Sequence, residues 1–338
     1  MTGESEISRF APAPDRSHRV GGAEDVVVHV GQLEVDAETV RALLADQLPR
    51  WAGLEVRVLP QSGTVNAIAR IGDGLAARLP LQPQDPDDAR RALTREAEAS
   101  RRLAGRLRVP VPEVVAVGEP GHGYPLPWSV QTWLPGRDGS AVDPGASYAF
   151  AHDLAALVAD LRAVPTQGRT FVGEGRTGRG GVVADHDAWV RTCLDRSAGL
   201  LDVPALAAFW ARLRDLPRGT DPDVTSHGDL IPGNVLVAGD GPDARLAGLL
   251  DLGEVGPADP ALDLVGAWHL LDDGPRTTFR EALGVDDATW ARGVAWAYEQ
   301  AIGLVWYYRT SLPAFSTFGR RTLDRILRAA PDLPPRKR

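Results

Sequence analysis

Three short segments of partial polar–apolar alternation, LEVRVLP, TVNAIARI and LAARLPL, run from Leu54 to Leu81 with only QSG and GDG between them. Breaks that short, each carrying glycine, are turn chemistry, and the trio predicts an antiparallel meander. Upstream, Asp36 can cap the run ETVRALLADQLPRW, whose apolar residues recur at helical spacing. Downstream, residues 85–106 read as a charged, alanine-rich helix that Pro110 and Pro112 stop from continuing. Strands at 113–117 and 128–134 complete a five-stranded sheet with one helix inserted after its third strand.

Past LPGRDGS the pattern turns helical, at 147–164, 187–198 and 203–216, with a glycine-rich stretch, 168–181, between the first two. An island of short strands at 224–227, 235–237 and 246–250 interrupts the helices, which resume from 261 to 327. There Trp268, Trp290, Trp296, Trp306, Tyr298, Tyr307 and Tyr308 recur at helical spacing, the mark of a core face. Helices segregated from an antiparallel sheet define an α+β protein. Residues 1–34, with only a short strand pattern at 26–30, read as a mobile N-terminal arm. Residues 35–134 then form a first lobe, 135–329 a second, and 330–338 a disordered tail.

Composition narrows the function. A chain of 338 residues, 43% hydrophobic and 24% charged, can bury a sizeable core. No apolar run reaches the roughly eighteen residues of a membrane span, and the N-terminus lacks a signal peptide's apolar centre. The expected location is therefore the cytoplasm, without a membrane partner. A single cysteine, Cys193, excludes an intramolecular disulfide and a cysteine-built zinc site. The net charge of −8 argues against nucleic acid as a partner. Of 37 basic residues only Lys337 is a lysine, which removes the P-loop signature and lysine Schiff-base chemistry. Asparagine occurs only at Asn66 and Asn234.

The informative segment is SHGDLIPGNVLV with LAGLLDLGEVGPADPALDL behind it. Asp229 is followed five residues later by Asn234, and Asp251 lies seventeen beyond that. A carboxylate and an amide oxygen are hard ligands suited to Mg²⁺ carrying phosphate oxygens. Asp229 falls in a loop between strands and Asp251 ends an apolar strand, so both can face one cleft. Such a trio serves phosphoryl transfer: one aspartate takes the acceptor's proton while the other two side chains hold the metal.

These motifs resemble the aminoglycoside phosphotransferase family, small-molecule antibiotic kinases with the protein-kinase fold. RLPLQPQ, REAEASRRLAGRLRVPVPEVVAVGEP and GYPLPWSVQTWLPG follow that family's pattern in order, so the resemblance spans residues 36–327. It implies a kinase-like two-lobe fold with ATP or GTP and Mg²⁺ as cofactors. The implied reaction phosphorylates a hydroxyl of a small molecule, first among them an aminoglycoside-type antibiotic. Other antibiotics (macrolide, nucleoside, peptide) and metabolites such as choline, homoserine or a sugar are the alternatives. A catalytically silent nucleotide-binding regulator is the reading outside enzymes.

By the same resemblance Asp229 is the catalytic base, Asn234 and Asp251 are metal ligands, and His227 shapes the catalytic loop. Asp263 braces that loop, and Asp259 either does the same or caps the following helix. Gly63, Thr64 and Asn66 belong to the loop over the nucleotide phosphates. Arg78 stands where kinases carry a phosphate-binding lysine, a departure that still permits bidentate contact. Glu96, in preference to Glu98, is its expected partner. The nucleotide base is expected at the backbone of Thr132, Trp133 and Leu134. Leu252 replaces the bulkier residue that often follows the metal aspartate and is expected to stay packed. Residues 168–181 read as a mobile lid near the acceptor. Asp185, Asp187, Glu254, Asp272 and Asp273 are candidate carboxylates for a polycation, and Trp189, Trp268 and Trp306 candidate walls for an apolar acceptor.

Overall fold

The expected meander forms. Strands β1 (Val56–Val58), β2 (Asn66–Ile71) and β3 (Leu75–Pro80) pair antiparallel, with Val56 opposite Ile71 and Ile71 opposite Leu75. With β4 (Val114–Gly118) and β5 (Trp128–Thr132) they complete a five-stranded sheet in the order β1-β2-β3-β5-β4. This is a computed structural model, and it describes residues 31–60, 65–173 and 178–330. The strand pattern at 26–30, Gly63, Thr64 and the tail from 331 lie outside the described residues.

Helix α1 (Ala37–Gln47) begins where Asp36 accepts the Thr39 N–H at 2.7 Å. It buries Val40, Leu43 and Leu44 against Ile71, Leu79, Trp128 and Val130 in the smaller of two cores. Leu33 joins the same core and donates its N–H to the Leu81 carbonyl at 2.8 Å. Helix α2 (Pro86–Leu103) starts at Asp85, with proline at its first position, where no N–H is needed. Its buried face carries Leu93, Glu96, Ala97 and Ser100 at helical spacing. The far end of α2 leaves the small core: Ala99 and Leu103 pack into the larger one.

That larger core is helical. It is built from α3 (Tyr148–Ala163), α4 (Asp187–Arg196), α5 (Val203–Leu213), α6 (Val265–Leu270), α7 (Asp273–Leu283), α8 (Asp287–Tyr307) and α9 (Pro313–Ala329). A three-stranded sheet of β6 (Arg137–Asp138), β8 (Val235–Ala238) and β9 (Arg245–Leu249) lies against it, beside the pair β7 (Val224–Ser226) and β10 (Gly256–Ala258). Sequence periodicity did not find β6 or β10. Two or three residues, with glycine and proline in β10, carry no period to read.

Helix α8 is buried on every side, as Trp290, Trp296 and Tyr298 foretold; Trp306, Tyr307 and Tyr308 at its end are half-buried. It approaches the 3₁₀ turn Leu262–Leu264 through Gly293, where an added Cβ would lie 2.6 Å from the Leu264 Cβ and 3.2 Å from the Ala261 carbonyl. Alanine ordinarily gains about 1 kcal/mol over glycine inside a helix. Overpacking of backbone-fixed atoms costs roughly 1–3 kcal/mol and here prevails. Gly293→Ala is therefore expected to lower the denaturation midpoint, by about 1–2 kcal/mol, and a rise would show that the two segments can separate freely.

Candidate active site

Asp229, Asn234 and Asp251 converge through the loop and strand ends that carry them. After β7 the chain turns back on itself: the Ile231 N–H donates to the Asp229 carbonyl at 2.9 Å and the Asn234 N–H to the Ile231 carbonyl at 3.0 Å. The Asn234 amide nitrogen donates to both the Asp229 carbonyl, at 2.8 Å, and Asp229 Oδ2, at 2.9 Å. Leu250, just past β9, donates its N–H to the Asn234 carbonyl at 2.8 Å. Its own carbonyl accepts from His227 Nε2 at 2.9 Å. The Asp229 N–H points at His227 Nδ1 from 3.3 Å, which requires a lone pair there and puts the ring proton on Nε2. His227 thus stitches the Asp229 loop to the strand end bearing Asp251.

Asp251 bends the chain sharply, with φ 57° and ψ 76° in the left-handed region. Aspartate tolerates this region at a cost of roughly 1–2 kcal/mol, and such strain gathers at working sites.

Asp263 braces the loop from behind. It is 2% exposed, and it accepts the Ser226 hydroxyl at 2.8 Å, the Gly228 N–H at 2.9 Å and the His227 N–H at 3.0 Å. Asp259 lies at the start of the turn that leads into α6. It pairs with buried Arg292, Nε at 2.8 Å, and accepts the Ala261 and Gly219 N–H groups.

From the first sheet, Arg78 reaches into the same space. Its guanidinium pairs with Glu96 and donates to Asp251 Oδ1 at 3.2 Å. Glu98 is exposed and takes no part. The Leu252 N–H bonds Glu96, and the Leu252 side chain is buried as expected. Arg78 Nε is buried with no acceptor among the described residues, an orphan donor where a phosphate would be useful. Asn66 opens β2 opposite Pro80. The backbone expected to meet the nucleotide base is partly committed. Thr132 donates to Glu113 and Trp133 to Gly74, at 2.9 and 2.8 Å, which leaves Leu134 to offer an N–H.

Charge separates the two carboxylates. Burial pushes the Asp229 carboxyl above the usual range, against the pull of Arg179. Burial would raise Asp251 as well, but Arg78 outweighs it and holds that carboxyl low. The two neighbouring acids are thus pushed to opposite sides of the usual carboxylate range.

Sequence reasoning missed the third buried charge cluster. Arg179 Nε donates to Glu299 Oε2 at 2.7 Å, and the other Glu299 oxygen meets His186 Nδ1 at 3.1 Å. Beside it, Gln300 Nε2 donates to the Gly228 carbonyl at 3.3 Å and Gln300 Oε1 meets His269 Nε2 at 2.8 Å. The available signal was Glu299-Gln300 inside the apolar run of α8. The described end of the glycine-rich segment is tied down: the Gly180 carbonyl accepts the Asp259 N–H at 3.1 Å. Among the acceptor candidates, Trp268 is 1% exposed and serves the core, whereas Trp189 and Trp306 are half-buried.

A family model described as the phosphotransferase enzyme family, APH, matches residues 56–296. The chain belongs to this family and is an enzyme of the small-molecule kinase class. Its fold is similar to the GDP and kanamycin complex of APH(2")-IIIa: TM-score 0.63, 19% identity, 85% of this chain and 97% of that one. It is also similar to the GDP complex of wild-type aminoglycoside 2'-phosphotransferase-IIIa, with TM-score 0.63, 17% identity, and 87% and 99% of the two chains. For the macrolide 2'-phosphotransferase MphH from Brachybacterium faecium the TM-score is 0.53, with 24% identity over 89% and 100% of the two chains. No curated protein matches the sequence. Among the described residues no helix is long and apolar enough to cross a membrane.

Two stability outcomes follow from the braces. Asp263→Ala strands three buried donors and should cost roughly 3 kcal/mol or more in a denaturant titration, with a loss below about 1 kcal/mol contradicting the bracing role. Burial would raise Glu299, but Arg179 and His186 outweigh it and hold its carboxyl at about 2 against an ordinary 4.5. Its contribution, on the order of 3 kcal/mol, is complete above about pH 4.5 and fades as pH falls toward 2. Stability measured from pH 7 down to 3 should therefore fall less steeply in Glu299→Gln than in the wild type.

Proposed function

We propose that the protein transfers the terminal phosphoryl group of ATP or GTP, with Mg²⁺, to a hydroxyl of a small-molecule antibiotic. The convergence of Asp229, Asn234 and Asp251 beside the Arg78–Glu96 pair carries this reading. Proteins of the same fold were captured with GDP and kanamycin and with ATP and streptomycin, and another is a macrolide phosphotransferase, which supports nucleotide and antibiotic as the two substrates.

The residues fit a magnesium–nucleotide pair. Asp251, held ionised by Arg78, offers a carboxylate, and Asn234, its nitrogen committed to Asp229, offers Oδ1. Among the described residues no three His, Cys, Asp or Glu side chains gather as a cage. Two hard oxygens suit a cation that completes its shell from phosphates and water. Bound there, Mg²⁺ supplies neutralisation of phosphate charge. Arg78, whose Nε has no acceptor among the described residues, would supply a cation to phosphate oxygens.

The acceptor oxygen forms a bond to the γ-phosphorus as the bond from that phosphorus to the bridging oxygen breaks, and nucleoside diphosphate leaves. The hydroxyl proton passes to Asp229. Asn234 holds Oδ2, so Oδ1 receives it. The raised affinity of a buried carboxyl for protons suits that task near neutral pH. Positioning and charge, more than proton abstraction, supply the rate.

Incubation with nucleotide and a panel of hydroxylated antibiotics, read by a mass gain of one phosphate, tests the reading. Asp229→Ala should lower turnover about 10³-fold or more while nucleotide affinity changes only a few-fold. Near-normal transfer by that variant would remove Asp229 from its role, and nucleotide binding without any transfer by the wild type would leave a regulator.

A further inference from the structure

Gln300, His269 and Thr322 belong to none of the expected motifs, yet together they tie three helices to the catalytic loop. Gln300 Nε2 donates to the Gly228 carbonyl at 3.3 Å, and Gln300 Oε1 meets His269 Nε2 at 2.8 Å. His269 Nδ1 in turn meets the Thr322 hydroxyl at 3.1 Å. All three side chains are buried, and they come from α8, α6 and α9.

Hydrogen-bond chemistry fixes the direction of every link. A carbonyl oxygen only accepts, so Gln300 turns its amide nitrogen to Gly228 and its oxygen to His269. That oxygen also only accepts, which requires the ring proton on His269 Nε2. Burial holds His269 at about 4, so the ring is neutral near pH 7 and its Nδ1 keeps a lone pair for the Thr322 hydroxyl. Phe318 meets the ring edge-on at 5.0 Å. The three side chains therefore have one consistent arrangement, which ends in a donor aimed at a single carbonyl.

That carbonyl belongs to the peptide that carries Asp229. The other end of the same peptide, the Asp229 N–H, faces His227 Nδ1 at 3.3 Å. Gly228 has φ 84°, and glycine lets the peptide that follows it rotate with little steric resistance. Asp263 fixes the Gly228 N–H but not this next plane, which Gln300 and His227 hold from its two ends. A turned peptide would swing the Asp229 carboxyl with it. The Gln300 amide has no bond to Arg78, Asn234 or Asp251 among the described residues, so the groups proposed for nucleotide and metal do not depend on it directly.

We propose that Gln300 is a positioning residue for phosphoryl transfer: with His269 and Thr322 setting its amide, it holds the Gly228–Asp229 peptide so that Asp229 meets the acceptor hydroxyl. This rests on the kinase reading above and adds to it the group that aims the base.

The test measures kcat and KM with Mg·ATP and whichever of kanamycin and erythromycin the wild type phosphorylates, or ATP hydrolysis by water where it phosphorylates neither. Gln300→Met keeps the side-chain length and removes the amide; kcat should fall about 30-fold while the KM for Mg·ATP stays within about threefold. His269→Leu removes the donor that orients Gln300 and should lower kcat about tenfold. His269→Gln offers an amide N–H in place of the ring N–H and should return kcat to within about threefold of the wild type. A merely structural role would lower the denaturation midpoints and leave kcat per folded molecule unchanged. Wild-type kcat in Gln300→Met, or no recovery in folded His269→Gln, overturns the proposal. A second measurement needs no variant to fold as an enzyme: nitrogen shifts of 15N-histidine-labelled wild type near pH 7 should place the His269 proton on Nε2. A proton on Nδ1 reverses the chain of bonds and also overturns the proposal. Absence of both transfer and ATP hydrolysis in the wild type is a different failure, which removes the kinase reading and this proposal with it.

Discussion

Arg78 is a guanidinium 6% exposed, and burying it is tolerable only because two carboxylates from distant parts of the chain meet it. Glu96 comes from α2, whose other end packs into the larger core, and Asp251 comes from the end of β9. Neither acid can leave without exposing the others to an uncompensated charge, a loss of roughly 3–5 kcal/mol for a broken buried pair. The ion triad therefore locks the sheet lobe to the strand end that carries Asp251. The direction of the charges follows from the same contact, since the cation that joins the lobes is also what keeps Asp251 ionised.

Helix α8 plays the corresponding part on the other side. An all-round buried helix would normally be apolar throughout. This one carries Arg292, Glu299 and Gln300 inward, and each reaches a different piece of the site: Asp259, Arg179 with His186, and the Gly228 carbonyl. Buried polar groups are stable only when their partners are complete, so these three contacts permit few alternative placements of the loops. With Asp263 accepting three donors from Ser226 to Gly228, the loop is held from behind without engaging the Asp229 or Asn234 side chains.

Much of this was legible before any coordinates. The meander, the inserted helix and the strand island were carried by turn residues, caps and periods spanning several positions. Arg78, Glu96 and the choice of Glu96 over Glu98 came from resemblance in the motif order, and the buried face of α2 shows why it works: Glu96 lies in register with Leu93 and Ser100, whereas Glu98 points to water. The short strands β6 and β10 escaped because pairing partners, rather than local pattern, make them strands. Asp272 and Asp273 looked like acceptor carboxylates because sequence shows charge but not the arginines that neutralise it.

The chain's own order of residues determined the class of elements, their succession and the identity of the oxygen donors, because propensity, capping and motif spacing are local and survive without knowledge of contacts. The folded arrangement alone decided which charges face which. Glu299 and Arg179 are separated by 120 positions, and only packing brings them to 2.7 Å. Their mutual attraction then keeps Glu299 ionised in spite of its burial, and the charge of Arg179 also draws on Asp229. Electrostatic energy depends on distance and burial, and neither is a property of position along a chain.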